Sequence, residues 1–152
     1  MRGVDRNLLV RQTLAKVQPS FERTLQTKMT RKNISGTSPF EPIIGFSRAV
    51  RIGNHVHVSG TGPVGADSAD VTEQTDQCLT LIEAALKNAG SSIEHVYRTR
   101  MYLTRAEDWE AVGRVHGKFF GLVRPAATMV IVAALLNPAW RIEIEADSFI
   151  PE

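Results

Sequence analysis

Three acidic residues alternate with small or apolar ones near the end of the chain: Glu143, Glu145 and Asp147 are separated by Ile144 and Ala146. A period of two predicts a strand that carries its carboxylates on one side. That side cannot enter an apolar core without partners, so it must face water, a polar cleft or another subunit. A carboxylate in a cleft can act on water as a base, whereas one at a strand edge is simply solvated. The residues alone leave both interpretations open.

Three further side chains are candidates for metal or nucleophile chemistry. His55 and His57 are two residues apart in a predicted strand, so they share one face and could chelate a metal. Zinc sites usually have three or four protein ligands, and local spacing supplies no third one, so we predict no metal site. Cys78 is the single cysteine, which excludes an internal disulfide, and it lies on the apolar stripe of a predicted helix. We therefore expect a buried, inert thiol.

The elements that carry these residues alternate in the order β-β-α-β-α-β-β. Predicted strands cover residues 46–52, 55–60, 96–103, 128–133 and 141–150, and predicted helices cover 71–90 and 108–121. Residues 33–42 are rich in turn formers and predict a loop. In the second helix the expected apolar contacts are Trp109, Val112, Val115, Phe119 and Phe120. Two helices among these strands favour an α/β (α+β) fold, with one mixed sheet and both helices packed on one face.

Charge divides the 152 residues into two regions. The total of 18 basic and 16 acidic residues gives +2, but residues 1–32 contain eight of the basic and two of the acidic ones. They therefore carry +6, and the remaining 120 residues carry −4. We expect a basic N-terminal extension at 1–32, helical or flexible, and one domain at 33–152. No apolar run approaches the roughly 20 residues of a membrane span.

The extension has a helical pattern of its own. Val10, Leu14, Val17, Phe21 and Leu25 recur at steps of three or four residues, which indicates a basic amphipathic helix. Three interpretations remain: a mitochondrial transit peptide, a helix that lies on a membrane or partner, and a flexible extension. We expect a cytoplasmic protein, or a mitochondrial one if the extension is a transit peptide.

Several separated motifs resemble the Rid family, also called YjgF-like. They are found in the expected order at residues 45–50, 53–54, 58–63, 74–75, 89–90, 116–120, 125–126 and 142–146. The resemblance implies a chorismate-mutase-like fold and a homotrimer with clefts between subunits. It also implies hydrolysis of reactive 2-enamine and 2-imine intermediates to 2-oxo acids and ammonia, with no metal or organic cofactor. Some members of the family have been described as ribonucleases, translation inhibitors or chaperones.

The resemblance also assigns site positions. Those for ligand binding are Phe46, Ser59, Gly60, Gly113, Ala127, Thr128 and Met129, and the catalytic position is Glu143. Ser59, the backbone of Gly60 and Glu143 match the family, and the glutamate would orient or activate water for attack on an imine carbon. Ser59 has no base beside it in sequence, so it is expected to donate or accept a hydrogen bond and not to act as a nucleophile.

The other positions depart from the deaminating branch of the family. That branch has an arginine at the position of Ala127, a cysteine at Met129, an asparagine at Gly113 and a tyrosine at Phe46. The arginine would bind a substrate carboxylate, and hydrogen bonds to charged groups contribute roughly 1.5–3 kcal/mol each. We therefore expect a divergent branch that is not an efficient 2-imino acid deaminase.

A displaced cation could replace the missing arginine, and the candidates are Arg48, Arg114 and Arg124. Arg124 directly precedes Pro125, although a solvated residue at the end of a helix is the simpler interpretation.

Three functions follow from these residues and the resemblance. The first is a cofactor-independent hydrolase or deaminase of a small imine or enamine. The second is a non-catalytic trimer that binds a small ligand in the same cleft. The third is an RNA-directed or chaperone role through the basic extension. The body has no basic stripe with positioned aromatic residues, which argues against a nucleic-acid partner.

Overall fold

A computed structural model describes residues 30–152 as one six-stranded sheet and two long helices. The strands are β1 Arg31–Ile34, β2 Ala49–Ile52, β3 His55–Thr61, β4 Val96–Leu103, β5 Ala126–Ile131 and β6 Ile142–Phe149, and the helices are α1 Val71–Asn88 and α2 Trp109–Phe120. Short helical turns occupy Glu41–Gly45, Ile93–His95 and Ala106–Asp108. The predicted helix at 10–25 lies outside the described residues.

The sheet is mixed, as predicted. Its strand order is β1-β2-β3-β6-β4-β5, and every neighbouring pair is antiparallel except β4 and β5, which are parallel. One face is buried under the helices. Its apolar side chains join those of α1 and α2 in a single core, which includes Val56, Met101, Ile144, Leu79, Ile82, Val112 and Phe120. The fold class expected from the sequence is confirmed.

Helix α1 begins at the predicted residue, Val71, and ends at Asn88, two residues before the predicted end. Asp70 Oδ1 accepts hydrogen bonds from the backbone N–H groups of Thr72 at 2.8 Å and Glu73 at 3.0 Å, which satisfies two donors that a helix start leaves open. The backbone N–H of Glu73 is the main reason why the pKa of Asp70 is lowered. After the helix, Gly90 has φ +82°, a left-handed conformation that terminates helices readily.

Four details differ from the prediction. Strand β1 lies across the expected boundary at residue 32 and partly within the predicted loop, because it pairs with β2 and buries Ile34 to 5% exposure. The second strand is shorter than predicted and begins at Ala49, and β5 is displaced towards the N-terminus, at Ala126–Ile131. Trp109 is 61% exposed and was wrongly expected to be an apolar contact, since α2 begins at this residue with its inner face starting at Val112.

The sheet face opposite the helices carries the predicted row of acids. Ile142, Ile144, Ala146 and Ser148 are buried on the helix side, whereas the alternating residues Glu143, Glu145 and Asp147 are partly exposed. The strand thus confirms the alternation, and it presents the carboxylates on the face that the core leaves open.

Candidate functional site

Glu143 lies against the backbone of β3 at Gly60. A Cβ atom at position 60 would collide with Glu143 Oε1, so the close approach depends on glycine at this point. The pairing of β3 with β6 shifts register between Val58 and Thr61, so Ser59 and Gly60 form a β-bulge. Bulges often occur beside active sites, where they change the direction of a side chain or backbone. The bulge is what brings the Gly60 backbone to the carboxylate.

Arg48 holds the bulge in place. Its Nη2 donates hydrogen bonds to the carbonyl oxygens of Ser59 at 2.6 Å and Gly60 at 2.7 Å. Burial lowers the pKa of Arg48, while the charges of Glu41 and Glu143 act in the opposite direction. Sequence reasoning considered Arg48 as a displaced anchor for a carboxylate, but its Nη2 is bonded to the backbone. Among residues 30–152 the buried Nε has no hydrogen-bond partner.

The environment of Glu143 makes its ionised form less favourable than it is in water. Burial raises its pKa above the ordinary value of 4.5, the Arg48 charge lowers it, and the neighbouring Glu145 raises it further. Glu145 itself accepts a hydrogen bond from Tyr102 Oη at 2.7 Å. Glu143 makes no side-chain hydrogen bond within the described region, so its oxygens are available to a ligand. A carboxyl group with a raised pKa can take up and return a proton at a higher pH than a solvated one.

Ser59 donates its hydroxyl hydrogen bond to the backbone, since Oγ lies 2.7 Å from Ser47 O. The hydroxyl of Ser59 is therefore engaged with the backbone. Phe46 is half-buried and follows the helical turn at Glu41–Gly45, two residues before Arg48. Phe46 therefore precedes the same bulge, but its ring supplies no hydroxyl.

A second group of predicted positions lies on the helix side of the sheet edge. Ala127 of β5 is the register partner of Thr99 in β4, and Thr99 Oγ1 lies 3.0 Å from His116 Nε2 of α2. Gly113 is one turn before His116, and a Cβ atom there would meet open space. Burial lowers the pKa of His116, so the imidazole is neutral at neutral pH. The sequence identified no partner for His116. Its position three residues after Gly113 does, however, indicate that the two residues share one face of the helix.

Thr128 and Met129 point away from each other, as adjacent strand residues do. Met129 packs against the core, and Thr128 is exposed beside Arg100. The two groups of positions do not meet within the chain. Strand β4 lies between β5 and β6, so Ala127 and Glu143 are at least two strand spacings apart, about 10 Å, on opposite sheet faces.

The other candidate residues make contacts within the fold. Cys78 is fully buried, as expected, and burial raises the pKa of its thiol. His57 Nδ1 lies 2.8 Å from Asp147 Oδ1, and no group of residues suited to hold a metal occurs in 30–152. Arg114 pairs with Glu110 at 2.9 Å on the exposed side of α2. Trp140 packs over Gly62 and donates to Asp67 Oδ1.

Within residues 30–152, no helix combines the length and apolarity needed to cross a membrane.

The chain is similar to proteins of known sequence and structure. Residues 36–150 match the family model described as endoribonuclease L-PSP. A Mycobacterium tuberculosis protein of known structure, a member of the YjgF/YER057c/UK114 family, is 45% identical with a TM-score of 0.75, over 80% of this chain and 100% of that chain. An uncharacterised Streptomyces coelicolor protein is 33% identical over 122 residues, 78% of this chain and 91% of the relative. The 3-aminoacrylate deaminase RutC of Acinetobacter baylyi is 32% identical over 114 residues, covering 72% and 88%.

Proposed function

The chain belongs to the Rid (YjgF-like) family, and from this premise we propose that it is a cofactor-independent hydrolase that deaminates a small imine or enamine. The observation that carries the proposal is the approach of Glu143 to Gly60. A half-buried carboxyl group with a raised pKa lies against a bulged backbone, without a side-chain partner of its own in the described region. The similarity to a 3-aminoacrylate deaminase supports an enamine or imine as the substrate class.

Glu143 would serve as both base and acid in this reaction. The substrate reacts as its protonated iminium ion. As a carboxylate Glu143 takes a proton from water, and the hydroxide adds to the iminium carbon to give a neutral carbinolamine. Glu143 then returns this proton to the amino group, the C–N bond breaks as the C=O bond forms, and the hydroxyl proton passes to the departing ammonia. The products are a carbonyl compound and an ammonium ion, and the carboxylate is regenerated. A carboxyl group with a raised pKa suits both steps better than a fully solvated one.

The charges around the site favour a substrate without a carboxylate. Ala127 supplies no guanidinium, and the Nη2 group of Arg48 is bonded to the carbonyls of Ser59 and Gly60. Glu143 and Glu145 would repel a substrate anion. The preferred substrate is therefore an uncharged or cationic imine or enamine, and 2-imino acids are poor substrates.

A homotrimer is part of the proposal. Ala127 and Gly113 lie on the helix side of the sheet edge, and Glu143 lies on the open face, so one protomer does not join them. A cleft between subunits would bring the Ala127 edge of one protomer to the Glu143 face of the next. The open face, with its partly exposed acids, is suited to such an assembly.

An assay with two imines tests the function. An amine oxidase generates benzaldimine from benzylamine, and an amino acid oxidase generates 2-iminopropanoate from alanine. We expect the protein to accelerate ammonia release from benzaldimine and not from 2-iminopropanoate, and we expect Glu143→Gln to remove the acceleration. Unchanged activity in Glu143→Gln would exclude the proposed role of this residue.

The alternative is a trimer that binds a small ligand without turnover. It is favoured by the loss of polar groups at Phe46, Gly113 and Ala127, where the deaminating branch has hydrogen-bonding side chains. Under this alternative a ligand raises the melting temperature and no substrate is consumed.

A further inference from the structure

A cavity of about 450 Å³ opens at the edge of the sheet where β4 and β5 begin and β6 ends. The side chains that matter for its chemistry are Glu94, His95, Tyr97, Arg124 and Phe149. Glu143 and Phe149 are at opposite ends of β6, six residues or about 20 Å apart. Within one protomer the cavity is therefore separate from the group around Glu143.

Arg124 has an unusual backbone conformation at the edge of this cavity. Its φ is +53°, and within 30–152 every other residue with positive φ is a glycine. The Arg124 N–H donates to Phe120 O at 2.8 Å and closes the end of α2, a task that glycine or asparagine performs with less strain. Helix termination thus explains the backbone conformation of residue 124, but it does not require an arginine side chain there. Strained residues of this kind are concentrated at ligand sites.

The guanidinium of Arg124 is available for a ligand. It forms no hydrogen bond or ion pair with any residue of the described range, and the side chain is exposed. A planar guanidinium binds a carboxylate through two parallel hydrogen bonds.

Two aromatic rings form the apolar wall. Tyr97 is 43% exposed and Phe149 is 44% exposed, although both belong to the sheet. Simple alternation with Thr99 would turn Tyr97 into the core, but the pairing of β4 with β6 shifts register between Val96 and Arg98 and leaves Tyr97 outside. The ring of His55 contacts Phe149 edge-on, with ring centroids 5.0 Å apart, and helps to hold it.

We infer that this cavity is a second ligand site, which takes a small carboxylate with a flat apolar body. Arg124 binds the carboxylate, and Tyr97 and Phe149 contact the body. Glu94 is the only acid of the lining and opposes an anion, so it reduces the affinity. The site is independent of the proposed hydrolase activity, because none of its residues belongs to the Glu143 group.

Benzoate is the probe, and benzamide is its uncharged control of nearly the same shape. In a ¹H–¹⁵N NMR titration of the full chain, we expect benzoate to shift the backbone amides of His95, Tyr97 and Arg124 in a saturable manner. Benzamide should bind at least tenfold more weakly. The Arg124→Asn variant should lose at least tenfold in benzoate affinity without a lower melting temperature, because asparagine tolerates the left-handed conformation.

Two further variants sharpen the result. Glu94→Gln should tighten benzoate binding by removing the opposing charge, and Glu143→Gln should leave it unchanged. Equal affinity of benzoate for wild-type protein and Arg124→Asn would overturn the inference. Equal binding of benzamide would overturn it as well. So would chemical shift changes confined to residues outside the cavity, as expected if a second copy of the chain covers the cavity.

Discussion

Glu143 of β6 and Gly60 of β3 approach so closely that a Cβ atom at position 60 would collide with Oε1 of the carboxylate. The contact depends on a bulge that the Arg48 guanidinium fixes through the carbonyls of Ser59 and Gly60. The acid, the bulge and the arginine therefore act as one unit, and its parts can be changed separately.

Substitution Gly60→Ala should displace the Glu143 carboxylate while the fold is retained. The colliding atom is the end of a flexible side chain, so the glutamate can rotate away at little cost in stability. We expect kcat for imine hydrolysis to fall by 10²-fold or more, on the order of the loss of a general acid–base catalyst, with a small change in melting temperature. Gly117→Ala is the control, since its Cβ meets open space on α2 and the activity should not change. Full activity in Gly60→Ala would show that the carboxylate position is unimportant.

Substitution Arg48→Met should destabilise the protein through the bulge. It removes two charge-assisted hydrogen bonds and leaves two carbonyl oxygens without that donor, and a loss of about 1.5–3 kcal/mol is expected for such a change. Urea unfolding measures the difference. Arg114→Met is the matched control, because its pair with Glu110 is exposed and worth at most about 0.5 kcal/mol. Equal losses in the two variants would contradict the role of Arg48.

The pH dependence of the free energy of unfolding should reveal the raised pKa of Glu143. Its pKa is raised in the folded state, mainly by burial, so the folded protein holds this proton at pH values where the unfolded chain has released it. Its contribution to the free energy of unfolding therefore decreases as pH rises from the ordinary value of 4.5 to the raised value. Glu143→Gln should consequently be more stable than wild type at pH 7, and the difference should disappear below pH 4.

The same titration governs activity. The acid limb of kcat/KM for imine hydrolysis should lie above pH 4.5, at the raised pKa of Glu143. A limb at or below 4.5, together with no stability difference in Glu143→Gln, would mean that the carboxyl group is fully solvated.

Local patterns account for the elements that were predicted best. Helix α1 has an apolar stripe, a cap at Asp70 and a terminating Gly90, and β4 covers Val96–Leu103 as its alternation indicates. Strand β1 was missed because Ile34 is its only apolar residue, and its pairing with β2 is a long-range event. Trp109 was wrongly assigned to the core because its apolar character does not show whether the first residue of a helix faces the core or the solvent.

The site was less predictable for a similar reason. The family resemblance supplied Ser59, Gly60 and Glu143 as positions, but the bulge that joins them depends on the register of strands more than 80 residues apart. No local pattern shows that Arg48 binds two carbonyls or that Thr99 lies beside His116. Those contacts exist only once the sheet is assembled.

Substitution Ala127→Arg should create activity towards 2-iminopropanoate. The new guanidinium would stand at an exposed sheet edge beside Thr99 and His116, and the lowered pKa of His116 keeps that imidazole neutral, so it does not repel the added charge. If the Ala127 edge of one subunit faces Glu143 of another, the carboxylate gains a bidentate partner, and kcat/KM should rise at least tenfold, mostly through KM. Ala127→Gln, of comparable length but uncharged, is the control and should show little gain. Ammonia release from 2-iminopropanoate measures the change, and sedimentation of the same samples reports whether they are trimers. No gain in a confirmed trimer would mean that the two groups of residues do not share a cleft.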